Sequence, residues 1–308
     1  MKNEKHQIMK HLLTGVLLIA ALTTTTLSTF ATPENNGEKT RTITVDNATI
    51  AYRILGGKSG IPLILLSPLG WSMDDWDPAI IDGLAKRTTV VLFDYKGVGS
   101  SSGKTRTTIS EMANDAISFI KALGYPQVNL LGFSMGGFVA QQIVETDPQL
   151  VNKLVLTGTG PQGSEGLAAI GQKVQEAGNL NPEEQYLHFL FAPNEVSRQL
   201  GQASFARIHA KKEDRDPAIT QESFVAELTA VLGWAQPDPG AFAKARTLTN
   251  PVLIIGGQSD FFIPANSMLT LSQAIPNSRL LLLQGAGHAT LNQYPVLFLQ
   301  ETVAFLKN

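Results

Sequence analysis

The sequence predicts an α/β protein: a mostly parallel sheet with helices on both faces and a helical insertion ahead of the last strands. Three observations carry this. Short apolar runs (Ile61–Leu66, Thr88–Asp94, Val128–Leu131, Lys153–Thr157, Val252–Ile255, Arg279–Leu283) alternate with stretches of helical spacing. Strands apolar throughout belong to sheets buried on both sides, and parallel neighbours need helical crossovers. From Pro161 to Asn250 strand character is absent, and helical stretches separated by Pro and Gly replace it. With 308 residues, 43% apolar and 16% charged, the chain suits one large globular domain with an insertion rather than disorder.

The first 31 residues read as a separate segment. Lys2, Lys5 and Lys10 make a basic start, His11 to Leu22 is uncharged and mostly apolar, and a threonine-rich stretch leads to Thr29-Phe30-Ala31. This pattern predicts a secretory signal peptide cut after Ala31 and an exported protein. The alternative is an uncleaved anchor, for which the uncharged run from His11 to Pro33 is long enough. Cleavage takes the formal charge from −2 to about −4, which suggests neither nucleic acid nor an anionic surface as partner. A membrane partner is not expected after cleavage, and the oligomeric state is left open. The absence of cysteine excludes a disulfide scaffold, a thiol nucleophile and thiolate metal sites.

The elements follow in order. Thr40–Leu55 alternates apolar and polar around Asp46-Asn47 and predicts a hairpin. Ile61–Leu66 is a buried strand ending in Ser67-Pro68-Leu69-Gly70, followed by a short helix from Pro78. Thr88–Asp94 is a second buried strand, with the glycine-rich YKGVGSSSGK after it. Thr108–Leu123 has helical spacing with Thr108 or Ser110 as its cap. Within the insertion, helices are expected near Leu167–Ala177, Pro182–Phe191, Glu195–Ala210 and Gln221–Trp234. Helices around Ala265–Ala274 and Pro295–Leu306 complete the chain.

The chemistry centres on VNLLGFSMGG, Val128–Gly137. An apolar strand stops at Gly132, Ser134 stands two residues from Gly132 and Gly136, and helical spacing resumes at Phe138. Strand, sharp turn and helix with a serine at the tip is the arrangement that exposes a nucleophile, and the helix N-terminus favours a developing negative charge. The motif G-x-S-x-G is weak alone, and Gly99–Gly103 also fits it around Ser101. Ser101 lies inside a Gly/Ser loop rather than between strand and helix, so Ser134 is the expected nucleophile.

A serine hydroxyl needs a base, and the base needs an orienting carboxylate. After residue 31 the histidines are His188, His209 and His288. The first two lie in the insertion; His288, in GAGHATL, follows the strand Arg279–Leu283. Asp260 ends GGQSD after the strand Val252–Ile255, on the same sheet edge. The order Ser134, Asp260, His288 predicts the triad. Asp94 precedes Ser134 and is expected to brace the loop after it. The histidines are scattered and no H-E-x-x-H is present, so no metal or cofactor is expected.

The segments LILLSPLG, DDWDP, VVLFDYKGVGSSS, LLGFSMGGFVA, KLVLTGTG, LIIGGQSDFFIP and GAGHATL resemble the α/β-hydrolase superfamily, in its branch of small esterases and cofactor-free haloperoxidases or perhydrolases. The resemblance runs from about Ile43 to the C-terminus, the insertion excepted. It implies an eight-stranded sheet over residues 40–160 and 251–308, a helical lid at 161–250, and the triad above. It also implies an oxyanion hole from the Met135 N–H and the Leu69 N–H. One departure stands out: Ser67-Pro68 occupies the place where the family usually has His-Gly. Proline fixes φ and lacks an N–H, but Leu69, the usual donor, keeps its own.

The aromatic residues Trp71, Phe133, Phe261, Phe262 and Trp234 are expected near the site and favour an apolar acyl or alcohol group on a small-molecule substrate. The charged run Lys211–Asp216 reads as a solvated turn. The expected activity is carboxylic ester hydrolysis through an acyl-enzyme. Perhydrolysis, lactone opening or cleavage of an activated C–C bond would use the same triad. A binding protein on this fold is the alternative from another class. A nucleotide-binding reading of GVGSSSGKT fails on spacing, because Gly97 leaves five and Gly99 three residues before Gly-Lys-Thr where four are needed.

Overall fold

The computed structural model describes residues 16–19, 39–57, 59–211 and 213–307. Most of the segment read as a signal peptide lies outside the described residues. Its exception is β1 (Val16–Ile19), which pairs in parallel with β9 (Ser278–Leu283) at one sheet edge. The other strands are β2 (Arg41–Val45), β3 (Ala48–Leu55), β4 (Leu63–Leu66), β5 (Val90–Phe93), β6 (Val128–Phe133), β7 (Val151–Thr157) and β8 (Val252–Gly257). They lie in the order β1-β9-β8-β7-β6-β4-β5-β3-β2. Strand β3 alone runs against the others, pairing antiparallel with both β2 and β5, and the other pairings are parallel. From Arg41 onward the sheet has the eight strands expected, and β1 adds a ninth.

The hairpin turns where the sequence placed it. Asp46 and Asn47 both have positive φ, which a two-residue turn matched to the strand twist demands and which Asp and Asn tolerate. In the parallel strands, successive residues serve opposite layers. Ile64 and Leu66 pack with helices α2 (Ile109–Ala122), α3 (Met135–Thr146) and α9 (Ala265–Ala274), while Leu63 and Leu65 pack with α1 (Pro78–Ala85) and α11 (Pro295–Lys307). This is why β4 and β5 are apolar at every position and the other parallel strands carry near-continuous apolar runs. Thr108 caps α2 by accepting from the Glu111 N–H.

Between β7 and β8 the chain is helical, as expected: α4 (Ile170–Glu176), α5 (Pro182–Leu190), α6 (Glu195–Ile208), α7 (Gln221–Trp234) and α8 (Ala241–Arg246). The last was not foreseen, and a further short helix, α10 (Thr290–Gln293), follows His288. The insertion is locked to the sheet domain by buried polar groups. Asp77 caps α1 and also receives the Arg207 guanidinium through two bonds of 2.9 and 2.6 Å, with the Ser204 hydroxyl at 2.6 Å.

Of Lys211–Asp216, Glu213 and Asp214 are exposed as in a solvated turn, whereas Lys211, Arg215 and Asp216 are engaged with the sheet domain. Lys211 donates to Asp74 Oδ1 at 2.7 Å and Arg215 to Asp75 Oδ1 at 2.8 Å. The Asp216 N–H donates to Asp74 Oδ2 at 2.7 Å, and its carboxylate accepts from the Ser100 hydroxyl at 2.6 Å. The connection between α6 and α7 crosses the acidic Asp74-Asp75 turn and is held there by Arg53, which pairs with Asp74 at 2.6 Å. Burial pushes the Asp74 carboxyl up, but bonds from Arg53 and Lys211 outweigh it and hold the group well below the usual carboxylate range. Asp216 is raised, by burial and then by Asp74 beside it.

Candidate active site

Ser134 sits between β6 and α3 with φ 53° and ψ −117°, a conformation that costs a non-glycine residue roughly 1–3 kcal/mol. The surroundings over-determine it. The Ser134 N–H donates to the Thr157 carbonyl at 3.0 Å, and the Ser134 carbonyl accepts from the Gly137 N–H at 2.8 Å and the Thr159 hydroxyl at 3.1 Å. The flanking glycines are steric necessities. A Cβ on Gly136 would lie 1.9 Å from the Leu66 carbonyl oxygen, and one on Gly132 would lie 2.5 Å from that of Gly136.

Ser101, the rival serine, is committed elsewhere. Its hydroxyl donates to the Asp94 carbonyl at 2.8 Å and accepts from the Ala51 N–H at 2.9 Å. Asp94 braces loops as expected, accepting from Met73 N–H at 2.8 Å and Ser100 N–H at 2.9 Å. Burial, and then the Asp216 charge, push its carboxyl up to about 7.

Asp260 and His288 meet across the ends of β8 and β9. His288 Nδ1 is 2.9 and 2.8 Å from the two Asp260 oxygens. The carboxylate can only accept, so Nδ1 carries the proton and Nε2 is left as the basic nitrogen. Asp260 Oδ1 also accepts from the Phe262 and Ile263 N–H groups, both at 2.9 Å, which fixes the carboxylate. The His288 loop is wedged against α5: the Ala289 N–H donates to the Leu190 carbonyl at 2.9 Å, and a Cβ on Gly287 would lie 2.7 Å from Leu190 O and from Ala192 N.

The loop that departs from the family pattern is anchored along its length. Ser67 is buried, and its hydroxyl accepts from the Trp76 indole N–H at 3.0 Å. Gly70 has φ +81°, and its N–H donates to Glu227 Oε2 at 2.8 Å. Ser72 and Asp75 close a capping box. Glu227 escaped the sequence reading. The signal was present: Glu227 shares with Ser223, Ala230 and Trp234 the buried face of α7, where a carboxyl is out of place.

Ser134, His288, Pro68, Leu69, Gly70 and Trp71 line one cavity of about 510 Å³. The insertion supplies most of its remaining wall, including Tyr186, Phe189, Leu190, Phe205 and Phe224, and Phe262 closes it from the β8 side. Of the aromatic residues expected at the substrate, Trp71 and Phe262 are in the wall. Phe133 is fully buried beneath it, its ring 5.5 Å from Trp71 and 5.1 Å from His288. Phe261 packs on His188 and Phe262, outside the lining. Trp234 stacks on Phe138 in the core, 5.4 Å between centroids. These three are not in the lining: Phe133 is buried at the end of β6, and α7 and the Phe261-Phe262 turn present alternate sides to core and cavity. Met135 is buried at the first position of α3. No cluster able to hold a metal occurs among the described residues.

Comparison with known proteins agrees with this architecture. Residues 61–292 match the family described as alpha/beta hydrolase fold. An alpha/beta hydrolase fold protein from Chitinophaga pinensis superposes with a TM-score of 0.86 at 34% identity, over 88% of this chain and 98% of that one. RutD of Agrobacterium fabrum, assigned as a carbamate hydrolase, is 27% identical over 80% of this chain and 93% of its own length. A poly(3-hydroxyalkanoate) depolymerase of Ectopseudomonas oleovorans is 26% identical over 78% of this chain and 83% of its own. The chain belongs to the α/β-hydrolase fold family and is a hydrolase.

Proposed function

We propose that the protein is a serine hydrolase acting on neutral carboxylic esters with apolar acyl or alcohol groups. The observation that carries this is the shared cavity: a serine on a strained elbow and a histidine tethered to a carboxylate open into one mostly apolar space. His288 Nε2 takes the Ser134 proton as Oγ attacks the ester carbonyl. The tetrahedral oxyanion is received by the Met135 and Leu69 N–H groups. His288 then gives the proton to the leaving alcohol, the ester C–O bond breaks, and an acyl-Ser134 remains. Water, deprotonated by His288, releases the acid.

The lining supports a neutral substrate. It contains neither Lys nor Arg, and its carboxylate, Asp75, is engaged by Arg215. A substrate carboxylate would meet only the imidazoles of His209 and His288 and no fixed cation, which disfavours anionic C–C cleavage substrates. A lactone presents the same uncharged carbonyl, so lactone opening is the second reading. The anchored loop after β4 supports a working oxyanion hole and speaks against a binding role alone.

A fluorophosphonate probe tests this. One adduct, on Ser134, is expected by intact-protein and peptide mass. Folded protein that gives no adduct overturns the proposal. We also propose export with cleavage after Ala31, on the basic, apolar and small-residue pattern. Cleavage would remove β1, and an exported protein whose N-terminal peptide begins at Thr32 is the expected result.

A further inference from the structure

The oxyanion loop is held by a side chain from the insertion. Glu227, fully buried on α7, places Oε2 2.8 Å from the Gly70 N–H, while its Oε1 is buried with no hydrogen-bond partner. Gly70 adopts a left-handed conformation one peptide beyond Leu69, and a Cβ there would lie 3.3 Å from the Phe224 ring, one turn before Glu227 on the same helix. Helix α7 therefore covers the turn as well as bonding to it. Peptide planes are rigid, so fixing the Gly70 N–H restricts the ψ of Leu69 and, through it, the plane carrying the Leu69 N–H.

We propose that Glu227 is a positioning residue that sets the Leu69–Gly70 turn, so that the oxyanion donor is aligned only when the helical insertion is seated. The inference rests on the serine-hydrolase reading of the same site. The groups acting on Glu227 are Asp94 and Tyr95, from the segment after β5. Asp94 is a carboxyl, and Tyr95 is a buried phenol whose own ionisation is pushed far up by burial and by Glu227. Neither compensates a negative charge. Burial, reinforced by Asp94 and opposed by the Gly70 N–H, pushes the Glu227 carboxyl up to about 8. Around neutrality it is a neutral acceptor. Once ionised it is a buried charge opposed by burial and by Asp94 and favoured by the Gly70 N–H, so the seating of α7 weakens as the group loses its proton.

The test compares Glu227→Gln and Glu227→Leu with the wild type, using p-nitrophenyl butyrate turnover and the rate of fluorophosphonate labelling at Ser134. Glu227→Leu removes the acceptor, and kcat and labelling rate should fall about tenfold with KM within about threefold. Glu227→Gln keeps a neutral acceptor and should restore both to within about threefold of wild type. Wild-type kcat should decline as pH rises through about 8, and Glu227→Gln should lose that decline. The Gln arm still decides the matter if the Leu variant does not fold. An unchanged Leu variant, or a Gln variant that keeps the alkaline decline, overturns the proposal while leaving the hydrolase reading intact. A wild type that neither labels nor turns over the ester overturns both.

Discussion

His288 Nδ1 stands within hydrogen-bond reach of both oxygens of Asp260, at 2.9 and 2.8 Å, while the backbone N–H groups of Phe262 and Ile263 both donate to its Oδ1. An amide at 260 would have to present its NH2 to a donor. Asp260→Asn should therefore leave the fold intact and lower kcat by about 10⁴-fold, through the wrong imidazole tautomer. Ester turnover and circular dichroism on one preparation check this; near-normal turnover would exclude Asp260 as the orienting group.

Ser134 and Ser101 separate cleanly by substitution. Ser134→Ala should abolish labelling and turnover with melting temperature unchanged or raised, because it removes one oxygen and no hydrogen bond to that hydroxyl is part of the fold's bracing. Ser101→Ala should keep labelling and lose about 1–3 kcal/mol of stability, since the Ala51 N–H is left buried without its acceptor. The reversed pattern would make Ser101 the nucleophile.

Gly136→Ala places a methyl 1.9 Å from the Leu66 carbonyl oxygen, backbone against backbone. Neither strand β4 nor helix α3 can yield without breaking the sheet. The variant should lose more than about 4 kcal/mol and yield little soluble protein. Soluble, active Gly136→Ala would show that the elbow is looser than its packing.

Asp77 is fully buried and holds Arg207 and Ser204 of the insertion. Asp77→Ala leaves the Arg207 guanidinium without this partner and should cost about 3–5 kcal/mol in urea unfolding. Because α6 supplies Phe205 and Ile208 to the cavity wall, KM should rise as well. An unchanged urea midpoint would mean that the insertion does not depend on this pair.

The pH dependence of stability follows from the buried carboxyls. Asp94 and Glu227 are raised to about 7 and about 8, so the folded state holds these protons more tightly than the unfolded chain. Their contribution is complete below the ordinary carboxylate range near pH 4 and is lost as pH rises through those values. Asp74, held low, contributes with the opposite sign and is lost only in acid. Melting temperature should be highest on the acidic side of neutrality and fall toward alkaline pH. A melting temperature that is flat from about pH 5 to about pH 9 would contradict this.

What the sequence determined alone was local or patterned. The apolar runs became β4 to β9 because a strand buried on both faces carries a near-continuous apolar stretch. Asp46-Asn47 marked its turn through the backbone angles those residues tolerate. Ser134, Asp260 and His288 were legible because each follows a strand whose C-terminal end opens on the same sheet edge, so chain order predicts proximity. Tertiary structure decided what depends on a partner distant in the chain. Lys211, Arg215 and Asp216 read as solvent-facing until α6 and α7 bring them over Asp74 and Asp75, more than a hundred residues earlier. Trp234 and Phe133 read as substrate contacts, yet which side of an aromatic residue meets the cavity depends on the rotation of its element against the core. The bond from Glu227 to Gly70 joins residues 157 positions apart, and hydrophobic periodicity carries no record of such a pairing beyond one carboxyl on the wrong face of a helix.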